Sequence, residues 1–226
     1  MKFTSYGHSC FAVEVAGKKL LFDPFVTGNP LAKDKIDIMT IEADYILVSH
    51  GHGDHTGDLV AIAKNTGATV ICAYEIYLWL QKQGIEKAHP MNFGAFSFEF
   101  GEVRFTPATH SSVLPDGTYA GNPGGFLVKS ADGNFYYSGD PCLTMDMQLI
   151  PRYSALDFAI LPVGGNFTMN VSDAVMAAEM VQAKKVIGVH FDTFGYIVID
   201  HEKAKADFRA AGVELVLPGI GESLEV

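Results

Sequence analysis

The segment VSHGHGDHTGD, residues 48–58, packs His50, His52, Asp54 and His55 into six consecutive positions. A short apolar run, Tyr45 to Val48, reads as a buried strand that delivers the chain to this glycine-rich loop. Strand-like alternation puts His50 and His52 on one side, so both can hold one metal ion. Asp54 and His55 follow at the start of the next helix and can reach a second. Gly51 and Gly53 let the backbone fold tightly enough for these groups to converge. Imidazole nitrogen and carboxylate oxygen suit Zn, Mn, Fe or Ni, and the motif contains no cysteine to favour thiolate chemistry. Without a metal, four such groups in one loop would compete for scarce polar partners.

The elements that must position these residues are short. Apolar runs such as VIC (70–72), FAIL (158–161) and VIGV (186–189) are too short for helices and rich in β-branched residues. The Asp132-Gly133 pair marks one hairpin, and the alternation of Phe96, Phe98 and Phe100 followed by Val103 and Phe105 marks another. Helical patterns cover 56–64, 74–83, 172–183 and 201–211, with Ser172 a candidate N-cap for the third. The sequence also echoes itself. CFAVEVAGKKLLFD (10–23) resembles GFLVKSADGNFYYSGD (125–140), ADYILVSHGH (43–52) resembles LDFAILPVGG (156–165), and TVICAY (69–74) resembles KVIGVH (185–190). These pairs keep one order at offsets of 113 to 117 residues. The expectation is one domain over 1–226, made of related halves of about 1–115 and 116–226. Two mixed sheets packed face to face with helices outside give a four-layer αββα sandwich of the α/β class.

Composition narrows the function. A formal net charge of -10 disfavours a phosphate backbone as partner, because each contact needs a neutralising Lys or Arg, whereas bound cations would offset it. Cys10, Cys72 and Cys142 are too scattered for a disulfide frame and indicate a reducing compartment. Glu14 interrupts the first apolar stretch where a signal peptide needs continuity, and no apolar run approaches 18 residues. The reading is a soluble, cytoplasmic protein acting on a small molecule, with no membrane or nucleic-acid partner and with room for a homo-oligomer.

His-x-His-x-Asp-His after a buried strand resembles the metallo-β-lactamase superfamily. The resemblance spans the whole chain and implies a later histidine, an aspartate after the second-half hairpin and a last histidine after a late strand. His110 in TPATHSS, Asp140 in YYSGDP and His190 in VIGVHFD stand in those places. By that resemblance His50, His52 and His110 hold one ion, Asp54, His55 and His190 hold a second, and Asp140 bridges them. YGHSCF, LFDPF, LPVGGNFTM and HFDTF bring the chain nearer to the small single-domain branch that includes L-ascorbate-6-phosphate lactonase. Pro141-Cys142 departs from the Thr or Gly that follows the bridging aspartate in many relatives, which makes the substrate less transferable.

Two divalent ions, most simply Zn2+, would lower the pKa of a shared water to about 7 and supply a hydroxide nucleophile. The expected activity is dinuclear metal-dependent hydrolysis of an ester, lactone or phosphodiester, with Asp54 and Asp140 as the catalytic carboxylates. The alternatives are an iron-dependent oxidoreductase like the persulfide dioxygenases, or a nuclease of the tRNA-processing kind. Asn166, Thr168 and Thr193 are candidate substrate contacts, with Phe194 and Tyr196 candidates for the pocket rim. Asp23, at the mirrored position of Asp140, supports a histidine or closes a turn before Pro24. His8 is a candidate pocket residue, and His89 and His201 are expected at the surface.

Overall fold

The computed structural model describes residues 1–226. Strands β1 (Lys2–Gly7), β2 (Cys10–Val15), β3 (Lys18–Phe22), β4 (Tyr45–Leu47), β5 (Thr69–Ala73) and β6 (Ala88–Met91) form one sheet in that order. Strands β7 (Ala95–Phe98), β8 (Gly101–Pro107), β9 (Gly124–Ser130), β10 (Gly133–Tyr137), β11 (Phe158–Pro162), β12 (Lys185–Val189) and β13 (Glu214–Val216) form the other. The C-terminal strand β14 (Ser223–Glu225) returns to pair with β1 at the edge of the first sheet. In both sheets the early strands (β1 to β3, β8 to β10) pair antiparallel and the later ones (β3 to β6, β10 to β13) pair parallel. The chain enters the second sheet between Met91 and Ala95, so β7 and β8 belong to that sheet although they precede residue 115.

The two sheets meet through aromatic rings. Phe22 stacks on Phe11 at 4.6 Å and meets Phe126, Phe135 and Tyr137 of the opposite sheet edge-on at 6.1, 6.0 and 5.7 Å. All five are essentially inaccessible, and such edge-to-face contacts add to what burial alone contributes. Outside the first sheet lie α1 (Gly53–Thr56), α2 (Leu59–Thr66) and α3 (Tyr74–Lys82), whose Leu59, Ile62, Ile76 and Leu80 join the main core. The short helix α4 (Ile150–Tyr153) with α5 (Val171–Met180) and α6 (His201–Ala210) covers the second sheet through Ile150, Ala174, Ala177, Ala204 and Phe208. The result is the expected αββα sandwich. No helix is long and apolar enough to cross a membrane.

Two local expectations change. The cap of α5 is Asn170, whose side chain accepts from Asp173 N at 3.0 Å, while Ser172 donates to that same Asn170 oxygen. The cap therefore lies two residues earlier than the hydrophobic pattern indicates. His89 is not a free surface residue either. Its ring packs on Phe96 and Phe98 at 4.3 and 4.9 Å, closing the sandwich where β6 meets β7.

Candidate metal centre

The parallel pattern of each sheet aims the C-terminal ends of β1, β3, β4, β8, β10 and β12 at one edge of the sandwich. His8, Asp23, His50, His110, Asp140 and His190 each lie within three residues of such an end. Open α/β sheets place binding sites at this edge because chain ends from several strands converge there. Helix α1 then turns Asp54 and His55 back over the same spot. Gly51 allows the close fit, since a Cβ there would lie 2.3 Å from that of Ala120.

The donor atoms fall into overlapping groups. His50, His52 and His110 converge, with His50 Nε2 3.0 Å from His52 Nδ1 and the His110 ring centred 5.0 Å from both rings. Asp54, His55 and His190 form a second group, which His8 joins. Asp140 closes a third group with His50 and His55, and its Oδ2 lies 2.9 Å from His55 Nε2 and 3.0 Å from His190 Nε2. A metal fits this arrangement on chemical grounds: Asp140 Oδ1 is buried without a hydrogen-bond partner in a site otherwise rich in polar contacts. All seven residues expected as ligands are thus brought together.

A buried carboxylate orients the rings. Asp23 Oδ2 accepts from His55 Nδ1 at 2.8 Å, from Ser49 Oγ at 2.6 Å and from Tyr137 Oη at 2.6 Å, while Oδ1 accepts from Ser49 N at 2.7 Å. With its proton committed to Asp23, Ser49 Oγ can only accept from His50 Nδ1, 2.9 Å away. Both rings therefore keep a proton on Nδ1 and present Nε2 to the donor cluster. His52 shows the reverse arrangement, with Ser111 Oγ 3.2 Å from Nε2 and Nδ1 turned inward. The last motif residue, Asp58, stays outside and accepts from Val26 N and Thr27 N at 2.6 and 2.9 Å, fixing the loop after Asp23.

His8 is the residue whose role the spacing alone does not reveal. Its side chain is fully buried, with Nδ1 2.9 Å from Thr193 Oγ1 and Nε2 3.1 Å from Asp54 Oδ2. Burial, reinforced by the neighbouring His190, lowers its pKa to about 4, so the ring is neutral and has one proton. A carboxylate can only accept, so Nε2–H donates to Asp54 and Thr193 donates to Nδ1. Its signal is positional: His8 follows β1 as His110 follows β8 in the equivalent place of the second sheet. Thr193 accordingly faces His8 rather than open space.

Above the donors lies a cavity of about 620 Å³ bounded by His52, Asp54, His110, Ser111, Asp140, Phe167, His190, Phe194, Gly195 and Tyr196. Phe194 and Tyr196 form part of the expected rim. Asn166 and Thr168 do not line it; they flank Phe167, which does. Cys142 is free and exposed, and Cys10 and Cys72 are free and buried. His201 stands apart from the cluster, paired with Asp192 at 2.6 Å.

The electrostatics differ between the groups. Burial lowers the pKa values of His50, His52 and His110, and the charge on His55 adds to the effect, so these rings are ready to ligate at neutral pH. For His55 and His190 burial acts in the same sense, but Asp140 overcomes it, and Asp23 adds to this for His55. His190 rises to about 9 and His55 well above its ordinary value. A metal must displace both protons. Affinity at the Asp54, His55 and His190 group should therefore fall as pH drops below about 9, while affinity at the other group stays nearly flat around neutrality. Calorimetric titration of the stripped protein with Zn2+ at pH 6 and pH 8, in buffers of different ionisation enthalpy, should show a second binding event that tightens with pH and releases protons. Equal, pH-independent sites would contradict this assignment.

Four substitutions examine the supports. Asp23→Asn should weaken metal binding in both groups by about 10–100-fold, because the amide cannot accept from every donor around it. Tyr137→Phe, which removes one donor, should lose less. His8→Ala should weaken only the Asp54 group by about 10–100-fold, with His8→Gln, which can still donate to Asp54, recovering much of it. Metal content after dialysis against graded chelator reads all four variants.

The chain matches the Beta-lactamase superfamily domain over residues 18–191. It is 51% identical to a UPF0173 metal-dependent hydrolase of Flavobacterium johnsoniae and 50% identical to one of Christiangramia forsetii, each match covering 100% of both chains. Among solved structures it resembles Igni18, a metallo hydrolase of the hyperthermophilic archaeon Ignicoccus hospitalis. That likeness has 32% identity and a TM-score of 0.89 over 99% of this chain and 97% of that one. These full-length likenesses agree with the fold and the convergence of histidines and aspartates at its edge: the chain belongs to the beta-lactamase superfamily and, within it, to the UPF0173 metal-dependent hydrolases.

Proposed function

We propose that this hydrolase is dinuclear and cleaves an ester, lactone or phosphodiester bond of a small molecule. The observation that carries the reading is the overlap of the donor groups: His50, His52 and His110 on one side, Asp54, His55 and His190 on the other, and Asp140 between them. Bound there, two divalent ions, most simply Zn2+, would polarise the scissile group and acidify a water held between them. Asp140 is almost inaccessible, with its charge set against His55 and His190, so it would supply the negative charge that lets two cations approach. The Asp54 side chain is 27% exposed and faces the cavity, where it can take the proton released when water attacks. His8 holds Asp54 in that orientation. The buried Cys10 lies outside the substrate cavity, as does Cys142, so neither thiol is placed to act as a nucleophile.

The repeated strand order supports reading 1–226 as one domain of two related halves. Three free cysteines, two of them buried, fit the reducing cytoplasm.

Asp140→Asn keeps the shape and removes the charge. It should lower turnover at least ~100-fold, about 2.7 kcal/mol of transition-state stabilisation, with the fold intact by circular dichroism. Cys142→Ala should change turnover little. In isotope-labelled water, the hydrolysed product should carry solvent oxygen by mass spectrometry. Oxygen drawn from O₂ would make the protein an oxidoreductase instead.

A further inference from the structure

The wall of the cavity above the donors is aromatic. Apart from the donor residues, its lining is Phe167, Phe194, Tyr196, Gly195 and Ser111, with no lysine or arginine among them. Phe167 and Tyr196 are 51% and 78% exposed, and their rings meet edge to face at 6.1 Å. Water-facing aromatics grouped at the mouth of one cavity leave apolar area that an occupant could cover.

Their placement is built rather than incidental. Phe167 projects from a tight turn after β11, closed by Phe167 N to Gly165 O at 2.7 Å and Gly165 N to Met169 O at 3.0 Å. The buried Thr168 and Met169 anchor that turn, and Met169 N donates to Pro141 O at 3.2 Å. The backbone carbonyl of Pro141 thus braces this wall. Tyr196 projects from the 3-10 turn Gly195–Ile197, whose Ile197 is buried. The two turns lock together at Gly164, where a Cβ would lie 2.2 Å from His190 O and 2.8 Å from Ile197 Cβ. Phe194 fills the space behind, 5.4 Å from His8 and 6.5 Å from Phe25.

We infer that this site takes substrates whose group next to the scissile bond is apolar and uncharged, an aryl or alkyl ester or lactone, seated against Phe167, Phe194 and Tyr196. The inference rests on the metal-hydrolase reading of the donor cluster. An anionic group remote from the scissile bond, such as the phosphate of a phosphorylated sugar lactone, meets no cation on this wall and loses hydration against aromatic carbon. An apolar group gains by covering that carbon.

Calorimetry on the metal-loaded protein separates the two readings, using hydroxamates as metal-directed probes. Acetohydroxamate should bind through the metals alone. Phenylacetohydroxamate should bind at least tenfold more tightly, and 4-carboxyphenylacetohydroxamate should lose that gain. Phe167→Ala with Tyr196→Ala should abolish the phenyl gain while leaving acetohydroxamate affinity and metal content unchanged, which a merely misfolded variant would not do. If acetohydroxamate binds but the phenyl group adds nothing, or the carboxylate improves binding, the apolar-substrate inference fails and the metal site stands. If loaded protein binds no hydroxamate, the metal-hydrolase reading itself fails. In substrate terms, phenyl butyrate should exceed 4-carboxyphenyl butyrate at least tenfold in kcat/KM.

Discussion

The site hangs on the carboxylate of Asp23. It has no solvent exposure, yet donors from three directions reach it: Ser49 beside the first motif histidine, His55 from α1, and Tyr137 from the opposite sheet. A buried negative charge of this kind is tolerable only when nearly every lone pair is used, and here it is. The consequence reaches both donor groups. His55 is held directly and His50 through Ser49, so one side chain sets which nitrogen of each ring faces inward. The Tyr137 bond also pins the two sheets together at the edge where the groups must meet.

That edge is held under backbone strain. His8, Asp23 and His190 all have positive φ, at 56°, 42° and 55°. Residues with side chains avoid this region at a cost of order 1–3 kcal/mol each, and they remain there only where surroundings over-determine them. His8 O accepts from His190 N at 3.1 Å, so two of the strained residues hold one another across the sandwich. The strained turns point side chains from neighbouring strands back toward one point instead of continuing outward along the strand axis.

Much of this was legible in the sequence for a physical reason. Ligands crowded onto one loop leave a dense local signal, and that signal made His110, Asp140 and His190 findable by resemblance to the superfamily. The strands and helices followed from hydrophobic period, with errors at ends where side-chain capping competes, as Asn170 shows against Ser172. What spacing does not encode is which side of a turn a residue faces. Asn166 and Thr168 carry the polar atoms expected of substrate contacts, but the turn around them directs Phe167 into the cavity instead. His8 lies 46 residues from its partner Asp54 and 185 from Thr193, and no local pattern links such distant positions.

The two aspartates at equivalent strand ends show how one backbone position takes two roles. Asp23 follows β3 and Asp140 follows β10, and the strands around them are ordered alike. Asp23 is saturated by hydroxyl, amide and imidazole donors, which leaves no lone pair well placed for a cation. Asp140 has the opposite surroundings: Oδ1 has no partner, and Oδ2 faces only the Nε2 atoms of His55 and His190. The difference originates one strand further on. After β4 the chain supplies Ser49 and the histidine motif, whereas after β11 it supplies Val163 and two glycines, which bring no side-chain donor. A carboxylate offered donors becomes a support that orients rings; the same carboxylate offered only ring nitrogens becomes a candidate bridge. Gly164 has a second effect, because it packs closely against His190 O where the turns bearing Phe167 and Tyr196 meet. Divergence between the equivalent loops after β4 and β11 therefore separates assembling the donor cluster from shaping the space above it.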